Sequence, residues 1–181
     1  MNIQARKQSY NVSHPSVCEV HYMLVDEGYI GFKEPEGFCA KEASQEEQQD
    51  IIRVCAELVC IAFERSFQRA NVECSSSVIA AYYAFSDAEQ QMQKDPLNAA
   101  QEWDDRNQAI HFAPIGNCGS PKSLDLFGTQ YDLSRRYRLK AHGSDRSLKS
   151  RSPWVEKSAQ EHELLNQAVL GNNIAEGQKV L

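Results

Sequence analysis

The chain has 181 residues, 41% of them hydrophobic and 24% charged, a composition that supports a packed core and excludes wholesale disorder. A chain of this length buries roughly 70% of its unfolded surface without needing staples. No stretch approaches the roughly 20 apolar residues of a membrane span and the first residues carry no apolar signal core, so a cytoplasmic protein with reduced thiols at Cys18, Cys39, Cys55, Cys60, Cys74 and Cys118 is expected.

The net charge of −6 is unevenly placed. Residues 1–106 hold 18 acidic and 9 basic side chains, net −9, and residues 107–181 hold 7 acidic and 10 basic, net +3. Such an asymmetry suits either complementary halves of one fold or two partners of opposite charge.

In chain order, Cys18, Val20, Tyr22 and Leu24 alternate with Glu19, His21 and Met23, which predicts a half-buried strand over 17–25. Asp26 to Gly28 then reads as a turn and Tyr29 to Phe32 as the returning strand, before a loop from Lys33 to Ala43. Ser44 with Glu47 forms a capping-box pattern for a helix over 45–70, whose apolar residues leave only a narrow polar stripe. Further helices are predicted over 78–94 and, with Asp95 as cap and Pro96 in the first turn, to about Asn107. Alternation returns at 108–114 and 130–141, predicting two more strands, the second with a basic outer face. Residues 143–151 read as a polar linker, and Ser152-Pro153 opens a last helix to about Leu170, followed by a frayed tail.

The expected fold is α+β: a small antiparallel sheet packed on the long buried helix, with additional helices. The expected organisation is a domain over 1–142, the 143–151 linker, and a C-terminal helix and tail over 152–181.

Three constellations carry chemistry. Cys118, in a Gly-Asn-Cys-Gly-Ser-Pro turn, has the helix-start setting that favours a thiolate, with His111 as a conceivable base and Asp104 or Asp105 to orient it; this would make a cysteine-dependent hydrolase or transferase. Glu102, Asp104 and Asp105 form an acidic group on one helix, read as a solvated face able to meet a basic partner. Arg135, Arg136, Arg138, Lys140, Arg146, Lys149 and Arg151, with Tyr137 among them, have the residue types for phosphate contact and base stacking, although an acidic chain is a poor bulk binder of nucleic acid.

A zinc set of His14, Cys18, His21 and Cys39 is disfavoured, because residues three apart on a strand diverge. Phosphate-loop, zinc-helix and nucleophile-elbow motifs are all missing. The leading expectation is therefore a non-enzymatic protein-binding inhibitor, adaptor or regulator without metal or cofactor, acting through Glu102, Asp104, Asp105, Arg136, Arg138 and Lys140. The alternatives are the Cys118–His111 enzyme and nucleic-acid binding through 135–151.

Overall fold

The structure, a computed structural model, describes residues 13–143, 153–171 and 173–180. The chain divides into two units, Met1–Gln45 and Glu46–Leu181.

In the first unit helix α1 (His14–Asp26) lies where a strand over 17–25 was expected. Ser13 caps it by accepting from the Ser16 amide at 3.2 Å, and Pro15 occupies the first turn, where a missing amide costs nothing. The buried side chains are Val17 and His21, four apart, whereas Val20 and Tyr22 of the alternating row are exposed. The helix stops at Gly28, whose φ of 84° suits glycine. There the Gly28 amide donates to Val25 at 3.0 Å and the Tyr29 amide to Leu24 at 2.9 Å. Asp26 to Gly28 is thus a helix end rather than a hairpin turn.

Strand β1 (Ile30–Lys33) pairs antiparallel with β2 (Gly37–Ala40), which falls in the expected loop; Ile30 faces Ala40 and Lys33 faces Gly37. Phe38 is the centre of this unit. It stacks on His21 with ring centroids 4.8 Å apart and meets Tyr22 and Phe32 edge-on at 5.1 and 5.2 Å.

The second unit is helical: α2 (Gln45–Phe67), α3 (Val72–Lys94), α4 (Pro96–Phe112), a 3-10 turn (Ala113–Ile115), α5 (Pro121–Gly143), α6 (Pro153–Leu170) and α7 (Ile174–Val180). Helix α2 buries Ile51, Val59, Ala62, Phe63 and Ser66, while Ile52 and Ile61 are exposed, so it presents one stripe to the core rather than most of its circumference. Asn71 caps α3 by accepting from the Cys74 amide at 2.9 Å, which starts that helix six residues before Val78. Asp95 caps α4 as the sequence suggests.

The two remaining expected strands are helical. Residues 108–112 continue α4, because Trp103, Asn107 and Ile110 are buried at spacings of four and three. Residues 130–141 lie within α5. This helix buries Tyr131 on one side and Tyr137 on another, and a helix covered on two sides produces an apparent alternation. The sheet consequently has two strands, and α+β holds only in that coarse sense.

One core gathers Val59, Ala62 and Phe63 of α2 with Ile115, Cys118, Phe127, Tyr131 and Leu165; a second gathers Phe85 and Met92 of α3 with Trp103 and Ile110 of α4. Helix α7 occupies the expected frayed tail and packs Ile174 and Val180 against the first core. Its Gly177 approaches Phe63 so closely that a Cβ there would lie 2.5 Å from the ring. The expected linker, beyond its first residue, lies outside the described residues. No helix among the described residues is long and apolar enough to cross a membrane.

Candidate functional site

The side chains with chemistry collect in the interior of the helical unit. Asp104 of α4 is 6% exposed and faces two arginines of α5. Arg138 donates to its Oδ1 from Nε at 3.1 Å and from Nη2 at 2.9 Å, while Arg135 Nε lies 2.8 Å from Oδ2. A carboxylate buried among helices requires such partners, since an unpaired charge there costs several kcal/mol. Arg138 is held further by the Tyr131 carbonyl at 2.8 Å, by the Ser134 hydroxyl, and by the Tyr131 ring 3.8 Å below its guanidinium. The Asn107 amide donates to the Tyr131 hydroxyl at 2.5 Å.

Beside this ion triad lie two histidines. His111 Nε2 and His162 Nε2 are 3.5 Å apart, and His162 also meets Phe85 edge-on at 4.6 Å. Burial lowers His162 to about 4; burial, with His162 and the Arg138 cation beside it, lowers His111 to about 3. Both rings are therefore neutral near pH 7. His162 Nδ1 and Asn166 Oδ1 are buried and have no partner among the described residues. Tyr131, buried beside Asp104, has its hydroxyl pushed well above the usual tyrosine range by burial first, in spite of Arg138.

The acidic trio expected on one solvated face is dispersed, because neighbours on a helix diverge by about 100°. Glu102 pairs with Arg106 at 2.6 Å, Asp105 accepts from Gln101 at 2.8 Å, and only Asp104 turns inward. The basic row is similarly engaged. Arg136 pairs with Glu47 in the first turn of α2, and the Tyr137 hydroxyl donates to the same carboxylate at 2.6 Å. Side chains from Lys140 to Arg151 lie outside the described residues.

Cys118 is buried in the first core, its thiol directed to the Ser120 carbonyl at 3.7 Å. His111 meets His162 and Tyr131 instead; among the described residues it makes no hydrogen bond to Cys118. Of the zinc set, Cys18 Sγ and His14 Nδ1 are 3.6 Å apart on α1, and no group of three or more potential ligands occurs among the described residues.

Asn107, Tyr131, Ser134 and His162 were not singled out as a group from the sequence. Trp103, Asn107 and His111 recur at i, i+4 and i+8, which would have revealed the inward face had α4 been extended through His111.

The first unit presents a different surface. On α1 the side chains of Ser13, His14, Ser16 and Glu19 are exposed around the helix start, and the hairpin turn carries exposed Glu34 and Glu36. A capped helix followed by a two-stranded ribbon has the dimensions of elements that enter a DNA groove.

By fold the chain resembles two solved structures, Escherichia coli McbR/YncC (TM-score 0.74, 13% identity, 99% of this chain and 80% of that one) and a transcriptional regulator GntR from Rhodococcus sp. RHA1 (0.70, 13%, 99% and 80%).

In sequence it is 25% identical over 136 residues to BphR of Paraburkholderia xenovorans LB400, an uncharacterized HTH-type transcriptional regulator, covering 75% of this chain and 56% of that one. It is 26% identical over 158 residues to the HTH-type transcriptional repressor GlaR of E. coli K12, covering 87% and 70%. No family model matches the chain. These relatives overturn the expectation of a protein-binding inhibitor or adaptor acting through a charged surface, and of the three readings nucleic-acid binding is the one they favour.

Proposed function

We propose that this chain is a DNA-binding transcriptional regulator whose first unit contacts DNA and whose helical unit carries the regulatory input. The observation that carries the reading is the pairing of a capped, polar helix start with an adjacent hairpin in a chain whose sequence relatives are HTH-type regulators. The exposed Ser13, His14 and Ser16 place hydroxyl and imidazole groups at the start of α1, of the kinds that recognise phosphates and base edges. The regulatory reading of the helical unit is supported by the buried Asp104 held by two arginines and by the unpaired His162 Nδ1 and Asn166 Oδ1, since buried polar atoms ordinarily have partners.

The reading puts DNA contact in the first unit rather than at Arg135, Arg136 and Arg138, because these three are held by Asp104 and Glu47. The test is fluorescence anisotropy with labelled duplexes drawn from the region upstream of the protein's own coding sequence, at low salt. Ser16→Glu, which sets a carboxylate against phosphate at the start of α1, is expected to weaken binding at least tenfold, and Lys140→Ala to leave it unchanged. The converse pattern would move the DNA surface to α5, and the absence of saturable binding to any duplex would reject the reading.

A further inference from the structure

Residues 135–138 of α5 occupy little more than one helical turn, yet they hold two carboxylates that belong to different helices. Arg135 and Arg138 hold Asp104 of α4; Arg136 and Tyr137 hold Glu47 of α2. Neither grip is a loose surface pair. Asp104 is 6% exposed and Arg138 14%, while Arg136 and Glu47 are 21% and 23%.

Four consecutive residues of one helix cannot be displaced independently, because the intervening backbone hydrogen bonds move them as a body. Arg138 is additionally clamped by Tyr131, which receives the Asn107 amide and borders His111. The polar interior is thus joined to one end of the turn. The other end reaches Glu47, two residues past the point where the first unit ends at Gln45.

We propose that the 135–138 turn of α5 is a coupler that reports the state of the polar interior, through Glu47, to the first turn of α2. Whatever parts Asp104 from its arginines releases α5 to shift, and the hold on Glu47 shifts with it. The inference rests on the regulator reading for its purpose, since a regulator needs its helical unit to act on the chain segment that leads to its DNA-contacting unit. Its physical content stands apart from that reading. Thermodynamic coupling is reciprocal, so loosening Glu47 must also loosen the surroundings of Asp104.

The test is hydrogen–deuterium exchange of the full chain without DNA, comparing wild type, Asp104→Asn, Glu47→Gln and the double variant. Asp104→Asn is expected to speed exchange of amides 48–52 about tenfold while amides 59–63, on the core-packed part of α2, keep their wild-type rate. Glu47→Gln is expected to speed exchange at 105–110. The double variant should exchange at 48–52 no faster than Glu47→Gln alone, the non-additivity that a shared element requires.

Unchanged exchange at 48–52 in Asp104→Asn, equal acceleration along all of α2, or additive effects in the double variant would overturn the coupler. Should Asp104→Asn fail to fold, Arg138→Lys keeps the charge and removes the two-pronged grip, and the same pattern is required of it. Because no DNA is present, a negative exchange result leaves the anisotropy result intact, and failure to bind DNA leaves the exchange pattern readable.

Discussion

Lowering the pH from 7 to 5 should destabilise the helical unit through His111 and His162. At pH 7 both imidazoles are neutral in the folded chain and mostly neutral in the unfolded one, so they contribute little there. Below 6.5 the unfolded chain takes up two protons, whereas the folded chain accepts them only near pH 4 at His162 and pH 3 at His111. A group whose charged form is disfavoured in the fold costs stability as the pH falls through that window, at up to about 1.4 kcal/mol per pH unit per histidine. Between pH 7 and 5 the loss is about 2 kcal/mol for each ring and about 4 kcal/mol for the pair, or roughly 8–16 °C in melting temperature for a chain of this size. Circular-dichroism melts of wild type and His162→Gln at the two pH values isolate the effect, because the carboxylates titrate alike in both. The variant should lose about half of the pH dependence. Identical pH dependence in wild type and variant would refute the assignment of buried neutral rings.

Three further outcomes test the packing. Gly177→Ala places a Cβ 2.5 Å from the Phe63 ring and should lower stability by about 1–3 kcal/mol in urea titration; a neutral result would mean that α7 does not dock there. Asn71→Ala removes the side chain that accepts from the Cys74 amide and should cost about 1 kcal/mol, read as a lower melting temperature. Under native conditions iodoacetamide should modify the partly exposed Cys74 well before the 2% exposed Cys118, as followed by mass spectrometry, and rapid modification of Cys118 would contradict its place in the core.

Helix boundaries with local chemical markers were legible in the sequence. Asp95-Pro96 and Ser152-Pro153 sit where a side-chain acceptor and a fixed φ make helix starts, and α4 and α6 begin there. The alternating segments misled because period two and period 3.6 are hard to separate over eight to twelve residues when a helix is covered on more than one side. Tyr131 and Tyr137 of α5 are six apart and both buried, against different neighbours.

The candidate site was legible as residue types but not as a place. Asp104 was grouped with its sequence neighbours Glu102 and Asp105, whereas its partners lie some thirty positions away on α5. Only the pairing of α4 with α5 brings them together, and that pairing is hidden while 130–141 is taken as a strand. The same error turned ion-paired arginines into a solvated basic face.

Charge makes the DNA reading quantitative. Residues 1–45 carry six carboxylates and four Lys or Arg side chains, of which Lys33 and Lys41 are exposed in the described part. If those two neutralise phosphates, the logarithm of the binding constant should fall with the logarithm of salt at a slope near −2 per chain bound, and if Arg6 and Lys7 join them, near −4. Raising salt from 50 to 200 mM then weakens binding by roughly 16-fold for the shallower slope and roughly 250-fold for the steeper, less than for readers that make many phosphate contacts. Such a protein would derive its discrimination from the few groups at the start of α1. A slope much steeper than −4 per chain, measured by anisotropy across that salt range, would show that cations outside residues 1–45 supply the contacts and that the acidic first unit is not the principal DNA surface.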